Sequence, residues 1–113
     1  VELRPFTEGW KDLGLGDDDL LALQVMLMLD PKAAPVVKST GGLRKTRFAP
    51  ASWGTGKSGA ARIAYVYLQE YGTVVLAIAY SKNEKDDLTP EEKSSIRAEI
   101  VRIRRQFDSG VIR

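Results

Sequence analysis

Between residues 43 and 80 lie three short runs, two that alternate and a third that is almost wholly apolar, and on either side of that stretch apolar positions recur every three or four residues. The runs, at roughly 43–49, 60–69 and 73–80, are rich in β-branched and aromatic residues and are bounded by glycine clusters, so three strands are predicted. Following one another with short connections, they suggest an antiparallel meander. In 43–49 alternation sets Leu43, Lys45, Arg47 and Ala49 on one side and Arg44, Thr46 and Phe48 on the other. In 60–69 it sets Arg62, Ala64, Val66 and Leu68 against Ala61, Ile63, Tyr65 and Tyr67. The third run is almost wholly apolar, which predicts a central strand covered on both faces.

The flanks read as helices. The opening VELRPF is expected to be a short strand, truncated at its start because the chain begins at Val1 and not at a methionine, with Thr7 capping a short helical turn that Gly14 ends. Asp17, Asp18 and Asp19 then lead into LLALQVMLML. Carboxylates suit a helix N-terminus, and that reading is preferred to a metal site. Leu20, Leu23, Met26 and Leu27 give the helix an apolar stripe, and Asp30-Pro31 stops it. Residues 31–42, with two prolines and a double glycine, read as a loop. A C-terminal helix is predicted from Thr89 as N-cap, Pro90 in the first turn and Glu92 closing a capping box, with Ile96, Ile100, Ile103 and Phe107 on its packing face. Arg102, Arg104 and Arg105 read as a solvated face, and Trp10 and Trp53 as packing residues.

With 113 residues, 43% hydrophobic and 28% charged, the chain has room for one domain, 1–113, and one modest core. It has no apolar run near the roughly 20 residues that span a bilayer and no signal-peptide pattern, so a cytoplasmic location is expected. Cysteine and histidine are both absent, which removes disulfides, thiolate metal sites and the usual neutral-pH acid or base. Any catalysis must then use Lys, Arg, Tyr or carboxylates, and no cofactor is expected.

The net charge of +2 conceals a marked segregation. Residues 1–30 hold seven acids against Arg4 and Lys11, whereas 81–113 nearly balance with eight bases and seven acids. Lys38, Arg44, Lys45, Arg47, Lys57 and Arg62 fall within a stretch containing no Asp or Glu, a candidate anion-binding face. Inside that stretch Gly54–Ser58 reads GTGKS and invites comparison with a phosphate loop. Ala51 stands where the first glycine of that motif belongs, and a strand pattern rather than a helix follows Lys57, so nucleotide hydrolysis is set aside. The glycine-rich loop still offers the Lys57 cation to a nucleic-acid phosphate.

Four blocks in order, GWKDLGLGDDDL (9–20), STGGLRKTRFA (39–49), GKSGAARIAYVY (56–67) and YSKNEKDDLTPEEK (80–93), give the chain a wider likeness. It resembles the RelE/ParE toxin superfamily, most closely the HigB-like branch. The resemblance implies an α+β fold, helices packed on a small twisted antiparallel sheet, in a type II toxin held inactive by a cognate antitoxin. For RelE- and HigB-like members it implies messenger RNA cleavage in the ribosomal A site. ParE-like members share the fold but poison DNA gyrase, and that alternative stays open, as does a non-catalytic module that binds RNA or antitoxin. By residue match, Lys45, Arg47, Arg62 and the segment from Lys82 to Lys85 fall where RelE-like members keep their active residues.

The residues support a chemistry independently. An RNase without histidine or metal can cleave by attack of the ribose 2′-hydroxyl on the adjacent phosphorus, provided cations stabilise the extra negative charge and some group moves protons. Crowding among cations and partial desolvation let a lysine act as a base. Lys45 beside Arg47 is the candidate base or electrostatic stabiliser, Arg47 and Arg62 the phosphate clamps, and Lys82 or Lys85 a further cation or acid. Arg44, Lys57 and Asn83 are expected to contact RNA, and Tyr65 or Tyr80 to stack a base or share a proton. RelE members use a tyrosine near the C-terminus for stacking. Here no aromatic lies between Tyr80 and Phe107, which leaves stacking to Tyr65, Tyr80 or a ribosomal base.

Overall fold

A computed structural model describes residues 1–53 and 60–110. Helices α1 (Arg4–Asp12) and α2 (Asp17–Leu29) precede strands β1 (Leu43–Phe48), β2 (Ala61–Leu68) and β3 (Thr73–Ser81), and helix α3 (Pro90–Asp108) closes the order. The strands form an antiparallel sheet in the order β1-β2-β3, so the architecture is α+β.

Each face of the sheet is covered by different helices. Leu43, Ala64, Val66, Leu68, Val75 and Tyr80 pack with Ile96, Ile100, Ile103 and Phe107 of α3. Phe48, Ala61, Ile63, Tyr65, Leu76 and Ala79 pack with Phe6 and Trp10 of α1 and Leu23 and Leu27 of α2. The alternation expected for β1 and β2 is therefore the one observed. In β3 it is broken: β2 pairs Ala64 with Ile78 but Tyr65 with Leu76, which leaves Ala77 as an extra, bulged residue. Val75 and Tyr80, an odd number of residues apart, thereby face the same helix.

Strand β3 is not central. Strand β2 is, and β3 is apolar on both faces because helices cover both while its outer edge is closed by the N-terminal segment. Leu3 N–H donates to Leu76 O (2.8 Å) and Leu76 N–H to Val1 O (2.8 Å). The expected N-terminal strand shrinks to this one parallel bridge at Glu2, because Pro5 starts α1 at once. Thr7 consequently lies inside α1 rather than capping it, and its hydroxyl donates to the Glu2 carboxylate (2.9 Å). The β1 edge is met by an antiparallel bridge between Val36 and Arg44. Both open edges of a short sheet are thus occupied by chain of the same molecule.

Helix α1 lies very close to β3. A Cβ on Gly9 would stand 2.0 Å from the carbonyl oxygen of Ala79, so glycine is what permits the contact. Asp17, Asp18 and Asp19 occupy the first turn of α2, as expected, but the N-cap is Gly16 and no side chain caps it; Asp19 accepts from the Ser52 hydroxyl (2.6 Å) and is buried. In α3 the predicted capping box is complete: Glu92 N–H donates to Thr89 Oγ1 (3.1 Å) and Thr89 N–H to Glu92 Oε1 (2.8 Å). Arg102 and Arg104 pair with Glu99 and Glu70 on the α3 surface. No helix among the described residues is long and apolar enough to cross a membrane.

Candidate functional site

The sheet register sets the site. Arg47 pairs directly with Arg62, and Arg62 with Tyr80, so the three side chains form one row across β1, β2 and β3. Lys45 lies one step along the same face of β1, opposite Ala64. Helix α3 begins at Pro90 and packs over the Leu43–Val66–Leu68 region of this face and over Tyr80, leaving Arg47 exposed and Arg62 half-exposed. Lys45, Thr46, Arg47, Arg62 and Tyr80, joined by Asp86 from the loop after β3, line a cavity of about 250 Å³.

Directly opposed like charges repel, yet neither Arg47 nor Arg62 makes an ion pair among the described residues. Two arginines at directly paired positions, neither in an ion pair among the described residues, can offer several guanidinium donors to one phosphate. Lys45 has an acidic partner. Its Nζ donates to Asp87 Oδ1 at 2.8 Å, and Lys93 approaches the other oxygen of the same carboxylate at 3.8 Å. The run 38–62 is free of acids in sequence, but the β3–α3 loop folds Asp86 and Asp87 against it. Lys45 thus shares the cavity with Arg47 and Arg62, as expected, and is also tethered to the Asp87 carboxylate, which offsets those cationic surroundings. The Lys45 ammonium and the Leu88 N–H, both hydrogen-bonded to Asp87, hold its carboxyl below the ordinary value.

Tyr80 is buried, and burial pushes its phenol above the ordinary value, helped by the charge of Asp87 and opposed by Arg62. The phenol therefore stays protonated at pH 7. Its ring carries the Lys85 ammonium 5.3 Å from the centroid and packs in the α3 cluster, so it lines the cavity without offering a face to a base. Lys85 pairs with Glu92 and lies 3.6 Å from Glu84; it braces Tyr80 and the α3 cap rather than entering the cavity. Burial pushes the Glu92 carboxyl up, but bonds from Lys85 and the Thr89 N–H outweigh it and bring it below its ordinary value. Lys82 and Asn83 are exposed on the turn after β3 and do not line the cavity.

Two further candidates point to the opposite side. Arg44 donates to the carbonyls of Ala34 (2.6 Å) and Lys32 (3.2 Å), fastening the loop before β1. Tyr65 is 1% exposed in the α1/α2 core, and its hydroxyl donates to Pro31 O (2.9 Å). Neither is available to RNA at the cavity, because odd and even positions of a strand face opposite ways. Lys57 lies outside the described residues.

Asp86 and Asp87 are the site residues that sequence reasoning missed. The signal was the position of KDD just after a strand that ends at the cationic row, which brings its acids to that row. Held against known protein families, the chain matches no family model.

Proposed function

We propose that the protein is a toxin of the RelE/HigB type that cleaves messenger RNA on the ribosome and is neutralised by a cognate antitoxin. The observation that carries this reading is the row Arg47–Arg62–Tyr80 at the floor of a cavity flanked by Lys45 and Asp86. It supplies the three things that metal-independent RNA cleavage needs. Arg47 and Arg62 grip the scissile phosphate and, with Lys45, stabilise the charge that builds on its non-bridging oxygens. On this reading the Asp86 carboxylate accepts the proton of the attacking 2′-hydroxyl and the Tyr80 phenol donates one to the departing 5′-oxygen, both residues lining the cavity. The 2′-oxygen forms a bond to phosphorus as the P–O5′ bond breaks, giving a 2′,3′-cyclic phosphate and a 5′-hydroxyl. Tyr65 and Tyr80 are both buried, so on this reading stacking falls to a base of the ribosome.

Primer extension on a defined messenger RNA, with and without purified ribosomes, tests the reading when the protein is run beside Lys45→Ala and Arg62→Ala. Cuts that require ribosomes and vanish in the variants are expected. Folded protein that leaves the message intact under both conditions would eliminate the nuclease, and a gyrase supercoiling assay would then distinguish the ParE-like alternative.

A further inference from the structure

Helix α3 carries opposite charge on its two flanks. Ile96, Ile100, Ile103 and Phe107 pack on the sheet. At about 3.6 residues per turn, Glu91, Glu92 and Glu99 fall to one side of that stripe, and Lys93, Arg97 and Arg104 fall to the other. The acidic flank lies toward β3, where its glutamates line a groove with Leu3, Pro5 and Ile78. The basic flank lies toward β1. Lys93 approaches the Asp87 carboxylate (3.8 Å) to which Lys45 of β1 also donates (2.8 Å). One turn further on, Arg97 lies against the turn that leads into β1: a Cβ on Gly41 would stand 3.7 Å from Arg97 Cγ.

These cations continue the ones at the cavity. On the face of β1 turned to α3, Arg47 borders the cavity, Lys45 follows, and Leu43 marks the end next to the Gly41 turn. Arg47 and Leu43 are about 13 Å apart at the usual strand rise, the length of a few nucleotides. Arg97 is exposed and makes no ion pair among the described residues, and the same holds for Lys38 on the turn before Gly41. Thr40 fixes that turn, its hydroxyl donating to Val37 O (2.6 Å) and accepting from Leu43 N–H (3.1 Å). Asp87 lies along the way, but two ammonium groups share its charge. Arg104, at the far end of the flank, is paired with Glu70.

We propose that Lys93 and Arg97 of α3, with Lys38, bind phosphates of the same RNA strand whose scissile phosphate is held at Arg47 and Arg62. The proposal rests on the reading of the cavity as an RNA site. It gives the strand a path: along β1 and the basic flank of α3, and away from the acidic flank. Cations spaced along such a path neutralise successive phosphates and fix the register of the strand without reading its sequence. Arg97, which no carboxylate offsets, is the stronger contact, and Lys93, with Asp87 beside it, the weaker.

Fluorescence anisotropy on the full chain, with single-stranded RNAs of about three and about ten nucleotides titrated from low salt, separates the two contacts. The longer RNA should bind more tightly. With it, Arg97→Ala should lower the slope of log affinity against log salt by about 0.7, and Lys93→Ala should lower it by less. Neither should change the slope for the shorter RNA, which the cavity accommodates. Arg97→Lys keeps the charge and should keep the slope. Arg102→Ala removes an equal charge from the acidic flank and should leave the slope unaltered. Far-UV circular dichroism on each variant confirms that the fold is intact. Arg62→Ala, run in parallel, reports on the cavity by itself. An unchanged slope for Arg97→Ala on the longer RNA would overturn the path, and the cavity reading would stand if Arg62→Ala still lowers it. A loss for Arg102→Ala equal to that for Arg97→Ala would overturn the path in favour of diffuse attraction. A loss for Arg97→Ala with Arg62→Ala indifferent would overturn the cavity reading and the path together.

Discussion

Arg47 and Arg62 face each other across β1 and β2, a placement that works against folding and that, on the proposed reading, serves to bind an anion. Tyr80 completes the row, with its phenol protonated at neutral pH. On the proposed reading, Tyr80→Phe retains the ring that Lys85 packs on and removes the donated proton, so ribosome-dependent cleavage should slow by about a hundredfold with the melting temperature little changed. An unaltered single-turnover rate would remove Tyr80 from the proton path. Asp87 makes a prediction about stability. Its carboxyl is held below the unfolded value of about 3.9 by Lys45 and the Leu88 N–H, so it contributes stability above that pH, and the contribution disappears as pH falls through the lower folded value. The pair is half-exposed, which keeps the effect small. Urea midpoints measured from pH 6 down to pH 2 should fall more steeply for the native chain than for Asp87→Asn; parallel curves would show that the tether is energetically silent.

Two contacts between elements have separable energetic signatures. Gly9→Ala drives a methyl group into the Ala79 carbonyl, where neither backbone can withdraw without parting α1 from β3; a loss of about 1–3 kcal/mol or more is expected from overpacking. Thr89→Ala removes one half of the α3 capping box and should cost about 1 kcal/mol. Chemical denaturation of both variants checks the order, and an equal or smaller loss for Gly9→Ala would mean that α1 shifts freely on the sheet. The capping box was legible in the sequence because Thr89, Pro90 and Glu92 act through local bonds at fixed spacing. The β1 and β2 faces were legible for the same reason, since alternation is a local rule. The start of α1 was not, because Leu3 offers no capping side chain and Pro5 acts within a segment that otherwise resembles a strand. Nor could periodicity identify the central strand: β3 is as apolar as a central strand because helices and the N-terminal segment cover it, a tertiary fact. The bulge at Ala77 and the return of Asp86 and Asp87 to the cationic row are likewise products of register and loop path, so the tether on Lys45 could not be read from the acid-free run around it.

For the molecule as a whole, the near-neutral total charge matters less than its distribution. Acids dominate the first thirty residues, which supply α1 and α2, while the cationic row lies on the sheet face turned toward α3, so the charge asymmetry in sequence becomes one across the two faces of the sheet. A phosphate approaching the cavity meets Arg47 and Arg62 uncompensated, Lys45 partly compensated by Asp87, and Asp86 at the edge. This arrangement predicts a particular salt dependence. Binding to a short single-stranded RNA should weaken linearly in the logarithm of salt concentration, with each phosphate contact contributing about 0.7 to the slope. Arg47→Ala and Arg62→Ala should each lower the slope by about that amount. Arg44→Ala should leave it unchanged, because that guanidinium is committed to the Ala34 and Lys32 carbonyls on the far side of the sheet. Fluorescence anisotropy across a salt titration reads all three slopes. If Arg44→Ala lowers the slope as much as Arg62→Ala does, RNA is bound by diffuse positive charge and the cavity has no special claim on the phosphate. If only the two cavity arginines lower it, the contacts belong to the face that the strand register selects.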